Sequence, residues 1–315
     1  MPVFSSVDDV VDLPALVQRA LDLKREPFSH QKTGHNKTIG LIFLNPSLRT
    51  RMSTQKAAAN LGMNVMVLNM DKDGWALEMR DGVAMNGSTV EHIREAAAVM
   101  GGYCDILGLR SFPSLKNREE DYAETIFRKF MLYCGKPVVS LESATRHPLQ
   151  SLADLITIEE LKKTARPKVV LSWAPHVKAL PQAVPNSFAE WMNRADVDFV
   201  ITNPEGYDLA PEFAGKAPVL HDQDEAMDGA DFIYVKNWSA YAPYGSMPAV
   251  QADWMLTNRR LASTRSAKIM HCLPVRRDLE LAAEVLDGPH SAVLQQAANR
   301  EWAAQAVLLD LLERA

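Results

Sequence analysis

The sequence predicts an α/β protein made of two doubly wound parallel-sheet domains. Short apolar runs alternate with segments of helical periodicity along the chain, which is typical of parallel sheets covered by helices on both faces. At 315 residues the chain is long for a single core, since domains usually hold about 150 residues. Polar candidate residues also follow the ends of several apolar runs, where ligands bind in such folds.

The first half of the chain contains four candidate strands and three candidate helices. The run at 38–44 reads Thr-Ile-Gly-Leu-Ile-Phe-Leu and carries no charge, as expected of a buried strand. We predict strands at 38–44, 64–70, 104–109 and 137–142, and helices at 52–61, 91–100 and 120–133.

The second half repeats the alternation. We expect residues 1–147 to form the first domain and 148–296 the second, with the helix at 297–315 packing back on the first. Segment 174–185 carries three prolines and reads as an ordered loop, while the long, irregular segment 237–263 favours a functional loop. We predict strands at 168–174, 198–202, 231–236, 268–273 and 291–295, and helices at 150–163 and 297–313.

Composition indicates a soluble globular protein, with 47% apolar and 23% charged residues. The formal net charge of −5 argues against nucleic-acid binding. No apolar stretch reaches the roughly 18 residues that span a membrane, and the acidic segment 1–13 does not resemble a signal peptide. Three separated cysteines without a Cys-x-x-Cys motif predict reduced thiols and a cytoplasmic location; they are Cys104, Cys134 and Cys272.

The run from Pro46 to Arg51 places two hydroxyls and two guanidinium groups between a strand and a helix. Free N–H groups and the helix dipole favour an anion there, and arginine matches phosphate oxygens. The alternative is a helix capped by Ser47 whose arginines are merely solvated. No Gly-rich loop is present, so this is not an ordinary nucleotide P-loop.

Three further groups of polar residues lie at predicted strand ends. Arg110 ends the third strand, the run 147–150 (His-Pro-Leu-Gln) follows Glu142 at the fourth, and the run 271–274 (His-Cys-Leu-Pro) ends a later strand. Each has a structural alternative when taken alone: a surface charge, a proline turn, and a strand that ends at proline beside a buried cysteine.

Taken together and in this order, the four motifs resemble the aspartate/ornithine carbamoyltransferase family. The resemblance implies that residues 1–147 bind carbamoyl phosphate and that the later domain binds the acceptor. Arg49, Thr50, Arg110, His147 and Cys272 would be catalytic. Carbamoyl phosphate would contact Ser47, Leu48, Arg49, Thr50, Trp75, Arg110, His147, Gln150, Cys272, Leu273 and Arg300.

The chemistry agrees with these roles. Attack on the carbamoyl carbon develops negative charge on the carbonyl oxygen, which Thr50, Arg110 and His147 would stabilise. The attacking amine must first lose a proton. No metal, cofactor or covalent intermediate is required.

The acceptor site resembles the N-acylornithine branch of the family. Ornithine enzymes resemble one another in an Asp-x-Trp-x-Ser-Met-Gly motif, whereas this chain has Lys236 at the aspartate position and keeps Trp238. A lysine would repel a free α-ammonium and suits an acylated, anionic acceptor. The resemblance implies that the acylornithine contacts Glu142, His176, Lys236, Arg276 and Val90.

By the same resemblance, the succinyl type has a proline at the position of Val90 and the acetyl type has a glutamate. A small apolar residue leaves room for a succinyl carboxylate, so we expect N2-succinylornithine as acceptor in arginine biosynthesis, with N2-acetylornithine as the alternative. The resemblance further implies a homotrimer in which Trp75 reaches a neighbouring subunit's site, and a knotted C-terminal domain. A catalytically inactive homologue and a simple phosphate-ester-binding module are the remaining alternatives.

Overall fold

A computed structural model describes residues 1–247 and 252–314 and divides the chain into two compact units. Unit 1 comprises 1–114, 119–149 and 300–315, and unit 2 comprises 115–118 and 150–299. Residues 248–251 of the predicted loop 237–263, and residue 315 of the predicted terminal helix, lie outside the described residues. In the described part of the chain, no helix is both long and apolar enough to cross a membrane.

Unit 1 is built on a five-stranded parallel sheet in the order β1-β7-β6-β2-β3. Its strands are β1 (Val3–Phe4), β2 (Thr38–Phe43), β3 (Asn64–Asn69), β6 (Ile106–Arg110) and β7 (Val138–Glu142), and a separate two-stranded sheet joins β4 (Leu77–Glu78) to β5 (Glu91–His92). The helices are α1 (Leu13–Arg25), α2 (Arg49–Asn60), α3 (Ile93–Tyr103), α4 (Arg118–Tyr122) and α5 (Thr125–Cys134).

The central strands of unit 1 are buried on both faces, which explains their uninterrupted apolar runs. The sheet packs against α3 and α5 through a cluster that includes Ile42, Ile93, Phe127 and Phe130. Helices α3 and α5 approach closely at Gly101, where an added Cβ would lie 1.9 Å from a backbone oxygen of α5. Only glycine permits that approach.

Unit 2 contains a second five-stranded parallel sheet, in the order β10-β9-β8-β11-β12. The strands are β8 (Lys168–Trp173), β9 (Asp198–Thr202), β10 (Val219–Leu220), β11 (Phe232–Lys236) and β12 (Lys268–Met270). The helices are α6 (Pro148–Leu161), α7 (Ala183–Arg194), α8 (Pro211–Ala214), α9 (Gln223–Met227), α10 (Ala283–Leu286) and α11 (Val293–Arg314). The boundary between the units falls inside α6 and α11.

Each sheet has a point at which the strand order reverses. In unit 1 the chain runs from β2 outward to β3 and then returns to β6 on the other side of β2. In unit 2 it runs from β8 through β9 to β10 and then returns to β11. Loops leaving the carboxyl ends of two neighbouring strands diverge at such a point and open a crevice.

The predicted fold class, two parallel-sheet α/β domains, is confirmed. Eight of the nine predicted strands are present, but the strand at 291–295 is wrong because α11 begins at Val293. That short apolar run fits a strand and a helix start equally well. The predicted helix 120–133 is instead α4 and α5, separated at Glu124, which has φ 53°. The knot implied by the resemblance stays a prediction.

Candidate active site

The turn between β2 and α2 holds the first predicted motif. Helix α2 begins at Arg49, and the Ser47 hydroxyl accepts a hydrogen bond from the Thr50 backbone N–H at 3.3 Å. The Thr50 side chain is buried, whereas Leu48 is exposed. The helix therefore presents its positive dipole end and the Arg49 guanidinium at the carboxyl end of β2.

Arg110 ends β6, the strand on the other side of the switch point from β3. Its Nη1 lies 2.5 Å from a carboxylate oxygen of Glu142, at the end of β7, and both side chains are buried. The guanidinium also lies over the Phe112 ring, 4.4 Å from the centroid. Within 1–247 and 252–314, its Nε has no hydrogen-bond partner. A buried donor of this kind can serve an anionic ligand.

Arg300, on α11, completes the cluster in unit 1. Its Nη2 donates to the Thr50 hydroxyl at 2.5 Å and lies 3.5 Å from His147 Nε2. Burial, together with the positive charges of Arg300, Arg110 and Arg49, holds the pKa of His147 well below its ordinary value. The imidazole is therefore neutral near pH 7.

The contact with Arg300 also assigns the tautomer of His147. A guanidinium can only donate, so Nε2 accepts and Nδ1 carries the proton. Nε2 also lies 3.6 Å from Glu142 Oε2, which is slightly farther than its distance of 3.5 Å from Arg300 Nη2. In the described part of the chain Nδ1 has no hydrogen-bond partner and is buried. His147 thus offers a neutral N–H donor.

Glu124 positions the turn that precedes His147, and sequence reasoning did not find it. Its buried carboxylate accepts from the backbone N–H groups of Ala144 and Thr145 at 3.1 and 2.8 Å. It also accepts from the Ser143 hydroxyl at 2.6 Å and from the Thr145 hydroxyl. The contacts join residues about 20 positions apart, so no local motif signals them.

In unit 2 the 271–274 run is held by a buried histidine. The Leu273 N–H donates to His271 Nδ1 at 2.9 Å, and His271 Nε2 lies 3.4 Å from Glu280 Oε1. Leu273 has φ 56°, a strained value for a branched residue that points to a functional turn. Burial alone would raise the pKa of Glu280, but the bond with His271 and the charge of Lys236 hold it below its usual range.

Arg276 and His176 meet beside this turn. Arg276 Nε donates to His176 Nε2 at 3.1 Å, and the Arg276 N–H donates to Glu280 at 2.8 Å. Burial, with the charges of Lys236 and Arg276, lowers the pKa of His176, so it accepts as a neutral ring. Lys236 is buried at the end of β11, with Nζ 3.1 Å from the Asn237 carbonyl oxygen. Two cations therefore lie near the β8–β11 switch point.

Trp75 and Val90 lie in unit 1 on the chain around the small β4–β5 sheet. Trp75 is 52% exposed and donates from Nε1 to Glu91 at 2.9 Å. Val90 is 65% exposed, and its N–H bonds to the Ala76 carbonyl at 2.9 Å. The side chains stand on a short, well-bonded surface element.

The structure therefore gathers the predicted residues into separate groups. Unit 1 joins Thr50, Arg110, His147 and Arg300 with Glu142, and places Ser47, Leu48 and Arg49 at the same helix start. Unit 2 joins His176 to Arg276 and holds Gln150, Lys236, Cys272 and Leu273. No group of three or more metal-ligating side chains was found in 1–247 and 252–314.

Two family models match the chain. The carbamoyl-phosphate-binding domain of aspartate/ornithine carbamoyltransferase matches residues 4–160, and the aspartate/ornithine-binding domain matches residues 181–311. The chain is similar to an N-succinylornithine carbamoyltransferase of Bacteroides thetaiotaomicron, at 55% identity over 99% of each chain. It is also similar to an N-acetylornithine carbamoyltransferase of Xanthomonas axonopodis pv. citri, at 33% identity over 96% of this chain and 94% of the other.

Solved structures show the same fold. A glutamate-to-valine variant of N-acetyl-L-ornithine transcarbamylase, complexed with carbamyl phosphate and N-succinyl-L-norvaline, matches with a TM-score of 0.92. The identity is 31%, and the match covers 99% of this chain and 100% of that chain. Alanine, serine and proline variants of the same glutamate are complexed with the same two ligands.

Proposed function

The chain belongs to the aspartate/ornithine carbamoyltransferase family, and we propose that it carbamoylates N2-succinyl-L-ornithine. The carbamoyl group of carbamoyl phosphate is transferred to the δ-amine, giving N2-succinyl-L-citrulline and phosphate. The observation that carries this proposal is the 55% identity, over nearly the whole length, to an enzyme named for that acceptor.

Unit 1 binds the phosphate end in this proposal. The N-terminus of α2 supplies the Leu48 N–H and the side chains of Ser47, Arg49 and Thr50. Arg110 bridges the phosphate and the carbonyl oxygen, and the charge of Arg300 supports both. The leaving phosphate gains charge as the C–O bond breaks, and guanidinium groups at hand stabilise it.

The same unit stabilises the oxyanion. As the amine attacks, charge builds on the carbamoyl oxygen, and donors already aimed at it lower the barrier. The Nδ1–H group of neutral His147, the Thr50 hydroxyl and Arg110 are such donors. Since His147 stays neutral, it donates without adding a fourth positive charge to the cluster.

Other residues accept from the carbamoyl NH2 group and contact the acceptor substrate in this proposal. Gln150 and the backbone carbonyls around Cys272 and Leu273 accept from the NH2 group. Lys236 and Arg276, the latter held by His176, bind the anionic groups of the acylornithine. Glu142 also contacts the acylornithine. A cationic site of this kind disfavours free ornithine, whose α-amine is protonated.

Val90 makes the site select succinyl over acetyl. A glutamate at this position would repel the succinyl carboxylate, whereas valine is uncharged. The variants of the acetylornithine enzyme support this idea, because those in which a glutamate is replaced, including by valine, are complexed with N-succinyl-L-norvaline. Carbamoylation of N2-acetylornithine is the second candidate, because enzymes named for it match at 33% identity.

The assembly and the biological setting are part of the proposal. The exposed Trp75 and Val90 suit a homotrimer in which each subunit reaches into a neighbour's site. We also propose that the protein acts in the cytoplasm in arginine biosynthesis. The product is an N2-acylated citrulline, whose ureido group can be converted into the guanidinium group of arginine.

The test is product formation from carbamoyl phosphate with ornithine, N2-acetylornithine and N2-succinylornithine in parallel. We expect turnover with the succinyl compound alone. Turnover with the acetyl compound would support carbamoyl transfer as the reaction but contradict the role of Val90 in selecting the acyl group. No turnover with any of the three would favour an inactive homologue.

A further inference from the structure

We propose that Asp154 is the positioning residue that makes the protein select an NH2 group on the acyl phosphate. It does so by orienting the Gln150 side chain and, through Gln296, the backbone of the 271–273 turn. This inference rests on the proposed function, in which Gln150 and the backbone of the 271–273 turn contact the carbamoyl end of the ligand. It adds the residue that orients them.

A fully buried carboxylate joins α6 to α11. Asp154 is 0% exposed, and its Oδ1 accepts from Gln150 Nε2 and from Gln296 Nε2, each at 2.7 Å. Gln150 and Asp154 are four residues apart and share a helix face. A carboxylate has no hydrogen to donate, so both glutamines must turn their nitrogen toward it.

The orientation of Gln150 follows from this contact. With Nε2 facing Asp154, the amide oxygen Oε1 lies on the opposite side of the group, and an amide oxygen has two lone pairs. Gln150 therefore presents an acceptor. The reversed amide would present an NH2 group, which repels the NH2 group of carbamoyl phosphate.

Gln296 extends the same control to the 271–273 turn. Its Nε2 is held by Asp154, so its Oε1 accepts from the His271 N–H, at 2.8 Å. The Leu273 N–H is bonded in turn to the His271 ring. With both N–H groups held, the two peptide planes between them, which carry the carbonyls of His271 and Cys272, are restrained.

Asp154 thus orients Gln150 directly and, through Gln296, the His271 end of the turn, while the His271 ring holds the Leu273 end. Acetyl phosphate has the same phosphate end and a methyl group in place of NH2, so it would leave buried acceptors unpaired. A site built to bond a polar group rejects an analogue that lacks it far more strongly than an apolar pocket does.

The chain contains a matched control on the same two helices. Glu160 Oε2 accepts from Gln295 Nε2 and Asn299 Nδ2, each at 2.8 Å. Gln295 is next to Gln296 in the sequence but bonds to Glu160. Changes at this second pair test the packing of α6 on α11 without touching the 271–273 turn.

The experiment compares dissociation constants of carbamoyl phosphate, acetyl phosphate and inorganic phosphate by calorimetry, together with kcat and KM. The variants are Asp154→Leu, Asp154→Asn and Gln296→Met, with Glu160→Leu and Gln295→Met as controls. We expect Asp154→Leu and Gln296→Met to reduce the preference for carbamoyl over acetyl phosphate at least about tenfold. Binding of inorganic phosphate should stay unchanged.

Asp154→Asn keeps an acceptor oxygen and should restore most of the preference. Gln296→Met keeps Asp154 and tests the same idea if Asp154→Leu does not fold. An unchanged preference in Gln296→Met, or in a folded Asp154→Leu protein, would overturn the proposal, as would an equal loss in Gln295→Met. A wild-type protein that does not bind carbamoyl phosphate would instead overturn the proposed function.

Discussion

The Nη2 atom of Arg300 lies 3.5 Å from the Nε2 atom of His147, and the two residues are 153 positions apart in the sequence. A guanidinium next to an imidazole opposes protonation of the ring and requires Nε2 to accept. The contact therefore sets the tautomer of the histidine, while burial, Arg300, Arg110 and Arg49 together lower its pKa and keep the ring neutral. This neutral state has consequences that can be measured.

Protonation of His147 should couple stability to pH. Its pKa is lowered in the folded protein, whereas an unfolded histidine titrates near about 6.5. Below that pH the unfolded chain binds a proton that the folded chain does not, so the free energy of unfolding falls as pH falls. Chemical unfolding between about pH 7.5 and 5.5 should show this slope. His147→Asn should reduce this slope, leaving the part that comes from His176, and the exposed His35→Asn should leave it unchanged.

Loss of Arg49 should reduce catalysis with little effect on folding. The residue is half-buried at the first turn of α2. Removal of one charge-stabilising donor usually lowers kcat by about 10²–10³-fold, so Arg49→Ala should lose at least that factor in kcat/KM. Circular dichroism should match the wild type. Near-normal turnover would contradict the phosphate-site assignment.

Glu124 should act through the turn that carries His147. Glu124→Leu leaves two backbone N–H groups and two hydroxyls without their acceptor. Each buried unpaired group costs about 1–3 kcal/mol, so we expect a loss of about 3 kcal/mol or more in the free energy of unfolding. Urea titration measures this loss. Glu124→Gln, which keeps one oxygen, should lose less stability and retain more of kcat.

A charge at position 90 should change the acyl preference. Val90→Glu should lower kcat/KM for N2-succinylornithine at least about tenfold relative to N2-acetylornithine, because like charges repel. Competition between the two substrates gives the ratio directly. Val99→Glu places the same charge at another exposed valine and should leave the ratio unchanged. An equal effect of both changes would remove Val90 from the acyl site.

Complementation tests the proposed sharing of sites between subunits. Trp75→Ala and Arg110→Ala should each be inactive alone. If Trp75 serves a neighbouring subunit's site, mixed assemblies contain some sites with both wild-type residues. Activity should then return after the two variants are unfolded and refolded together. No recovery, with mixed assemblies shown by differential tagging, would disprove the exchange.

The position of the polar candidate residues after the strands could be predicted from the sequence because the motifs are local. The turn at 46–51 and the runs 147–150 and 271–274 each place two or more polar residues within a few positions, after a mainly apolar strand. Within each of the two sheets, the carboxyl ends of the parallel strands lie along one edge. Fold class and candidate residues follow from those facts and from the family resemblance.

The supporting contacts could not be predicted in this way. Glu124, Asp154 and Glu280 accept from groups that the folded chain brings to them, so their partners depend on tertiary structure. Glu280 is four residues after Arg276, and Asp154 is four after Gln150. Spacing therefore suggests a neighbour, but not that Gln296 shares the Asp154 carboxylate. The strand expected at 291–295 fails for a related reason, since tertiary packing decides how a short apolar run folds.

The position of Arg300 also has a consequence for the order of synthesis. This residue belongs to unit 1, yet all of 150–299 in unit 2 is translated before it. A nascent chain whose first 149 residues have already folded lacks the guanidinium that bonds Thr50 and contacts His147. Domains generally fold as units during translation, the earlier one first. The contacts of Arg300 with Thr50 and His147 therefore form only after all of 150–299 has been synthesised, so the cationic cluster of unit 1 is among the last parts of that unit to be completed.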